Sequence, residues 1–211
     1  MGHVLARLAG FGMVLVPHWP YAFERDGDDI RVTRWTPSGP LHAVLQPGRE
    51  VDGGEVFDVA DGPELPYWTI ETSVFRTRWP AGFVLESPSD ESDATPFYLL
   101  GPGTSMIFTQ GPVPRGRLAG PGALVAPGQT VLRRSTIGEG AEAVELGYRH
   151  EGEQWWQCHW TIPYRGDRTV VVTAQAPEAG WEQAAEAAEA VVTSFEDMHP
   201  QQARSPGGAT A

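Results

Sequence analysis

The chain of 211 residues has no lysine; its 15 basic residues are all arginine. A Schiff-base lysine and the phosphate-binding lysine of a P-loop are therefore absent from its chemistry, and the bias fits a GC-rich, actinobacterial-like coding composition. Positive charge is scarce altogether. Asp and Glu number 27, giving a net charge of -12. A nucleic-acid binder shows a basic face and an anionic membrane attracts basic segments, so the composition argues against both partners. There is one cysteine, Cys158, which rules out an intramolecular disulfide and agrees with a reducing, cytoplasmic setting. No apolar run is long enough to span a bilayer. The nearest thing to a leader, Leu8 to Val16 after Arg7, runs into Pro17-His18-Trp19-Pro20 instead of a small-residue cleavage site. Residues 11–16 read as a buried strand, with a weak export signal as the open alternative. The nucleophile elbow, the His-Glu-x-x-His motif and the dinucleotide glycine pattern are all missing.

What is present is clearest from 141 to 196. Val144, Leu146, Tyr148 and His150 alternate with Glu145, Gly147 and Arg149, the period of a strand. After the turn Glu151-Gly152-Glu153, the series Trp156, Cys158, Trp160 and Ile162 marks the apolar face of a second strand. Thr169 to Ala174, beyond Arg165-Gly166-Asp167, makes a third. A helix is expected over 178–196, since Ala and Glu are strong helix formers. Trp181, Ala185, Ala188, Val192 and Phe195 recur at spacings of three and four as one stripe, with the glutamates off it.

Earlier in the chain, Tyr21–Phe23 and Ile30–Trp35 flank Asp26-Gly27-Asp28-Asp29, a strong hairpin signal. The acidic cluster lacks the further spaced oxygens of a calcium loop, so it reads as a solvated turn. Residues 36–66 are rich in Pro and Gly, with short strands at 41–45 and 55–59, and the boundary of a main domain falls there. Further strands are expected near 68–79, 97–100, 106–109 and 130–137, with a polar loop over 87–95.

The pair Cys158-His159 tempts a nucleophile-base reading. Neighbours on a strand point to opposite faces, so the pair is no couple and Cys158 belongs in the core. His150 and His159 are expected on opposite faces, and a zinc site would need one more ligand; no metal and no cofactor is assigned. Trp155 and Trp156 are adjacent, so one faces away from whatever covers the other. With the helix over Trp156, the residues Trp155 and His159 face outward. The candidate binding set is Trp155, His159, Tyr148, His150 and Trp160, with no catalytic residue. A helix covers one face only; the other calls for the N-terminal strands, a second subunit or a ligand.

The segment Trp79-Pro80-Ala81-Gly82-Phe83, the strands ending in Val170-Val171-Val172-Thr173-Ala174-Gln175, and the closing helix from Trp181 to Val191-Val192-Thr193-Ser194-Phe195 resemble the Mog1/PsbP-like fold family over residues 72–196. The resemblance implies a mostly non-enzymatic binding or adaptor role, as in photosystem subunits, a Ran-binding factor, actinobacterial lipoproteins and secretion chaperones. The chain departs from that family in lacking a lipobox cysteine near its start and in carrying the extra residues before 67.

The expected fold is α+β: a twisted antiparallel sheet, a C-terminal amphipathic helix on one face, and a β-rich N-terminal extension. It divides as 1–66, 67–199 and a disordered tail at 200–211. The expected function is a non-catalytic adaptor or chaperone-like protein holding a protein segment on an apolar aromatic sheet face. The alternatives are an enzyme or carrier for a small hydrophobic ligand, and a structural subunit forming a homodimer through its N-terminal strands.

Overall fold

The computed structural model describes residues 5–8, 13–17, 20–49, 52–62, 65–90, 92–118, 123–137 and 140–198. The expectations for residues 11 and 12 and for the tail at 200–211 lie outside them. In chain order the elements are β1 (Leu5–Leu8), β2 (Met13–Val16), β3 (Tyr21–Asp26), β4 (Asp29–Thr36), β5 (Gly39–Leu45), β6 (Asp58–Asp61), β7 (Thr69–Glu71), β8 (Phe75–Arg78), β9 (Val84–Glu86), β10 (Tyr98–Leu100), β11 (Met106–Pro114), β12 (Thr130–Ile137), β13 (Ala141–His150), β14 (Glu153–Tyr164), β15 (Arg168–Pro177), α1 (Trp181–Thr193) and β16 (Glu196–Asp197).

The strands form two sheets. The larger has ten strands in the order β12-β13-β14-β15-β11-β10-β9-β3-β4-β5, and the smaller has six in the order β16-β8-β7-β2-β1-β6. Every described pair in the large sheet is antiparallel. The small sheet is mixed, because β1 runs parallel to β6 and β2 parallel to β7. The class is α+β, mostly antiparallel, with the helix near the C-terminus packed on the sheet. The first 66 residues supply strands to both sheets.

Local chemistry explains the joints. The β3–β4 hairpin turns on Gly27-Asp28, with φ of 63° at Gly27; a tight hairpin needs positive φ there, which glycine adopts without strain. At the Trp79–Phe83 turn, Gly82 has φ of 79° and the Trp79 indole N–H donates to the Phe83 carbonyl at 2.8 Å. This lets a fully buried Trp satisfy its donor.

One row of paired residues crosses the whole large sheet on its inner face: Ala43, Val32, Phe23, Leu85, Leu99, Ile107, Ala174, Cys158, Glu145 and Arg133. From Val32 to Cys158 every member is buried. The core joins this row to Leu15, Ile70 and Phe75 of the small sheet, to Trp79 just beyond β8, and to the helix.

Helix α1 starts and ends inside its expected range. A 3-10 turn occupies Glu178–Gly180, and the helix stops at Thr193. Its buried residues are Ala184, Ala187, Ala188, Val191 and Val192, so the stripe expected through Trp181 and Ala185 is turned toward the small side chains. Small residues let the helix lie close on β15, whose inner face there is Ala174 and Ala176. Trp181 sits at the rim, 38% exposed, against Trp156 with ring centroids 5.8 Å apart. Phe195 lies beyond the helix, stacked on Phe75 at 4.9 Å. The chain leaves the helix because Ser194 and Thr77 tie it to the small sheet. The Thr77 hydroxyl donates to the Val191 carbonyl at 2.7 Å, and the Arg78 N–H donates to the Ser194 hydroxyl at 2.8 Å. No helix among the described residues is long and apolar enough to cross a membrane.

Candidate functional site on the outer sheet face

The register sorts the expected residues by face. Trp156, Cys158, Trp160 and Ile162 point inward and are buried. Trp160 therefore leaves the candidate set. It is 2% exposed and meets Trp156 edge to face at 6.3 Å, since residues an even number apart on a strand share a face. Trp155, Gln157, His159 and Thr161 point outward.

Across the β13–β14 hairpin, Tyr148 pairs with Trp155 and Val144 with His159. Hence Tyr148, His150, Trp155 and His159 all share the outer face. The expectation that the two histidines fall on opposite faces is corrected: the two-residue Glu151-Gly152 turn pairs His150 with Glu153 and puts even positions of β13 beside odd positions of β14. They are nonetheless apart, because six residues separate Glu153 from His159, roughly 20 Å of strand.

Three of the expected residues meet. The Tyr148 and Trp155 rings lie 6.2 Å apart, and His150 meets Trp155 edge-on at 5.8 Å. Tyr148 and Trp155 are half-buried and His150 is exposed. Burial raises the Tyr148 phenol above its ordinary value, so it stays a neutral hydroxyl.

His159 stands about four residues, roughly 13 Å, along β14 from Trp155. Its Nδ1 lies 2.9 Å from the hydroxyl of the buried Thr173. Burial depresses its pKa from 6.5 to about 4, which keeps the ring neutral. Between the two ends the Gln129 amide donates to Gln157 at 2.6 Å, and Gln157 donates to Gln175 at 3.3 Å. The outer face is therefore covered in part by Gln129, just before β12, a cover that the expectation of the N-terminal strands, a second subunit or a ligand did not include.

The outer face also carries residues that the sequence reading passed over. A row runs Glu86, Tyr98, Phe108, Thr173, His159 and Val144, and beside it a second runs Val84, Leu100, Met106 and Gln175. Tyr98 and Phe108 touch at 5.8 Å between centroids. Val84, Leu100, Met106, Tyr98 and Phe108 are all half-buried. The signal was available: in Met106-Ile107-Phe108 both parities are apolar, so both faces of that strand have something to bury.

Cys158 faces the core between Ala174 and Glu145, with its thiol raised by burial first and by Glu145 second. His159 faces out. Thus no thiolate-imidazole couple forms. Among the described residues, no group of three or more His, Cys, Asp and Glu is placed to hold a metal ion. A cleft of about 710 Å³ opens on the inner side, between the end of α1 at Val192 and Ile162 of β14, with the Arg165–Asp197 ion pair on its rim. None of the expected binding residues reaches it.

No family model matches the chain, and no curated protein matches it. Among the solved chains that do match is LpqN, involved in cell envelope biogenesis of Mycobacterium tuberculosis. It is 17% identical with a TM-score of 0.33, and the match covers 58% of this chain and 82% of that one. At that similarity it carries no argument about function.

Proposed function

We propose that the protein is a non-catalytic binding or adaptor protein that lays an extended apolar segment of a protein partner on the outer face of its ten-stranded sheet. The observation that carries this is the pair Tyr148–Trp155, two half-buried rings in contact on the face opposite the buried Trp156, Cys158 and Trp160. Aromatic rings with few rotatable bonds make good anchors, and the half-buried strip through Met106 and Phe108 extends the apolar surface. The net charge of -12 favours a neutral or basic partner. Membership of the Mog1/PsbP-like family belongs to the same proposal, supported by the run of antiparallel strands followed by one closing helix.

The test is photo-cross-linking in the native cell with benzoylphenylalanine at position 155, and at Trp35 as control. Trp35 is 42% exposed and lies near the opposite edge of the same sheet. A discrete protein adduct from position 155 and none from position 35 is expected. Equal or absent labelling from 155 overturns the proposal.

A further inference from the structure

A groove of about 580 Å³ lies on the outer face at the His159 end of β14, a volume typical of small-molecule sites. Its floor is Val144, His159 and Thr161. Its opposite wall is Leu118 and Leu124, half-buried side chains on the connection between β11 and β12. Polar groups converge on this apolar slot. Arg115 and Arg134 line it together with one carboxylate, Glu142. The Arg115 guanidinium is exposed and has no ion-pair partner among the described residues. The His159 Nδ1 is engaged by Thr173, which leaves Nε2 as the ring nitrogen for the groove.

We propose that this groove binds a small amphipathic carboxylate, with its hydrocarbon part between Leu118, Leu124 and Val144, its carboxylate on Arg115, and a hydrogen bond to the His159 ring. The planar guanidinium matches a carboxylate in two parallel hydrogen bonds. A wholly apolar ligand would desolvate the guanidinium and the imidazole without replacing their hydrogen bonds. A bare inorganic anion would leave both leucines in water. The groove is separate from the Tyr148–Trp155 anchors, so it stands whether or not a protein partner binds there.

The test is calorimetric titration of the full chain with sodium decanoate, decanol and sodium acetate, with the His159 ring followed by NMR. Decanoate is expected to bind and to shift the His159 ring resonances, and acetate to do neither. Decanol, and decanoate on Arg115→Gln, are each expected to bind about 10-fold more weakly, the scale of a lost charge-assisted hydrogen bond. Leu124→Asp should abolish decanoate binding, and Trp155→Ala should leave it unchanged. Because Arg115 is exposed and Leu124 sits on a connection, both variants should fold. No heat and no His159 shift with decanoate, or Arg115→Gln binding like the wild type, or decanol binding as well as decanoate, would each overturn the proposal.

Discussion

Acid should destabilise this protein through His159 before its carboxylates titrate. The ring is held neutral by burial, with a folded pKa of about 4 against 6.5 when unfolded. The unfolded chain therefore binds the proton more readily. The stabilisation from the neutral ring is fully present above pH 6.5, falls as pH drops below it, and levels off near pH 4, where both states are protonated. Linkage puts the loss between pH 7 and pH 5 at about 1–2 kcal/mol, the lower figure allowing for water on the groove side of the ring. His159→Gln keeps a partner for Thr173 and removes the titration. The assay is urea unfolding at both pH values, for the wild type and the variant, with an NMR titration of the ring beside it. The wild type should lose that amount more than the variant. Equal losses, or a ring titrating at or above pH 6, would refute the burial argument.

Two other predictions concern the packing. Cys158, 1% exposed with its thiol raised by burial, should react with a thiol reagent only on unfolding; rapid labelling of the native protein would show the inner face open. Phe195→Ala should cost about 1–3 kcal/mol in a denaturant melt, below the full-burial cost of a phenylalanine, because the ring is half-buried against Phe75 and not in the helix; no measurable loss would mean that the stack contributes nothing.

The three long strands and the helix were legible because each carries its own period. Trp156, Cys158, Trp160 and Ile162 gave the buried parity, and Gly27 and Gly152 sit at hairpin turns that the local sequence marks. Pairing between distant strands has no such mark. Nothing near Leu5 or Met13 announces the parallel pairing with β6 and β7, which depends on contacts more than 50 residues away. The two-residue turn at Glu151-Gly152 decides which residues of β13 face with Trp155, and a shift of one residue reverses the answer, as it does for His150 and His159. The helix face was displaced because stripe-counting favours large side chains, whereas close packing on Ala174 and Ala176 favours Ala184 and Ala188. The Tyr148–Trp155 contact depends on the same register, since Tyr148 shares the parity of His150 and Trp155 that of His159. The Phe108–Tyr98 strip needed the order of β10, β11 and β15.

The comparison of Trp155→Ala with Trp156→Ala tests the outward-facing binding surface most directly, read by denaturant melts and by cross-linking with the probe moved to position 148. Trp156, 6% exposed between Trp160 and Trp181, should cost about 3–5 kcal/mol when truncated. Trp155→Ala should cost under about 1.5 kcal/mol, since its ring is half-buried, and should remove the adduct that the native surface gives. If Trp155→Ala unfolds the protein as severely as Trp156→Ala, or leaves the adduct intact, the outer face is not the binding surface.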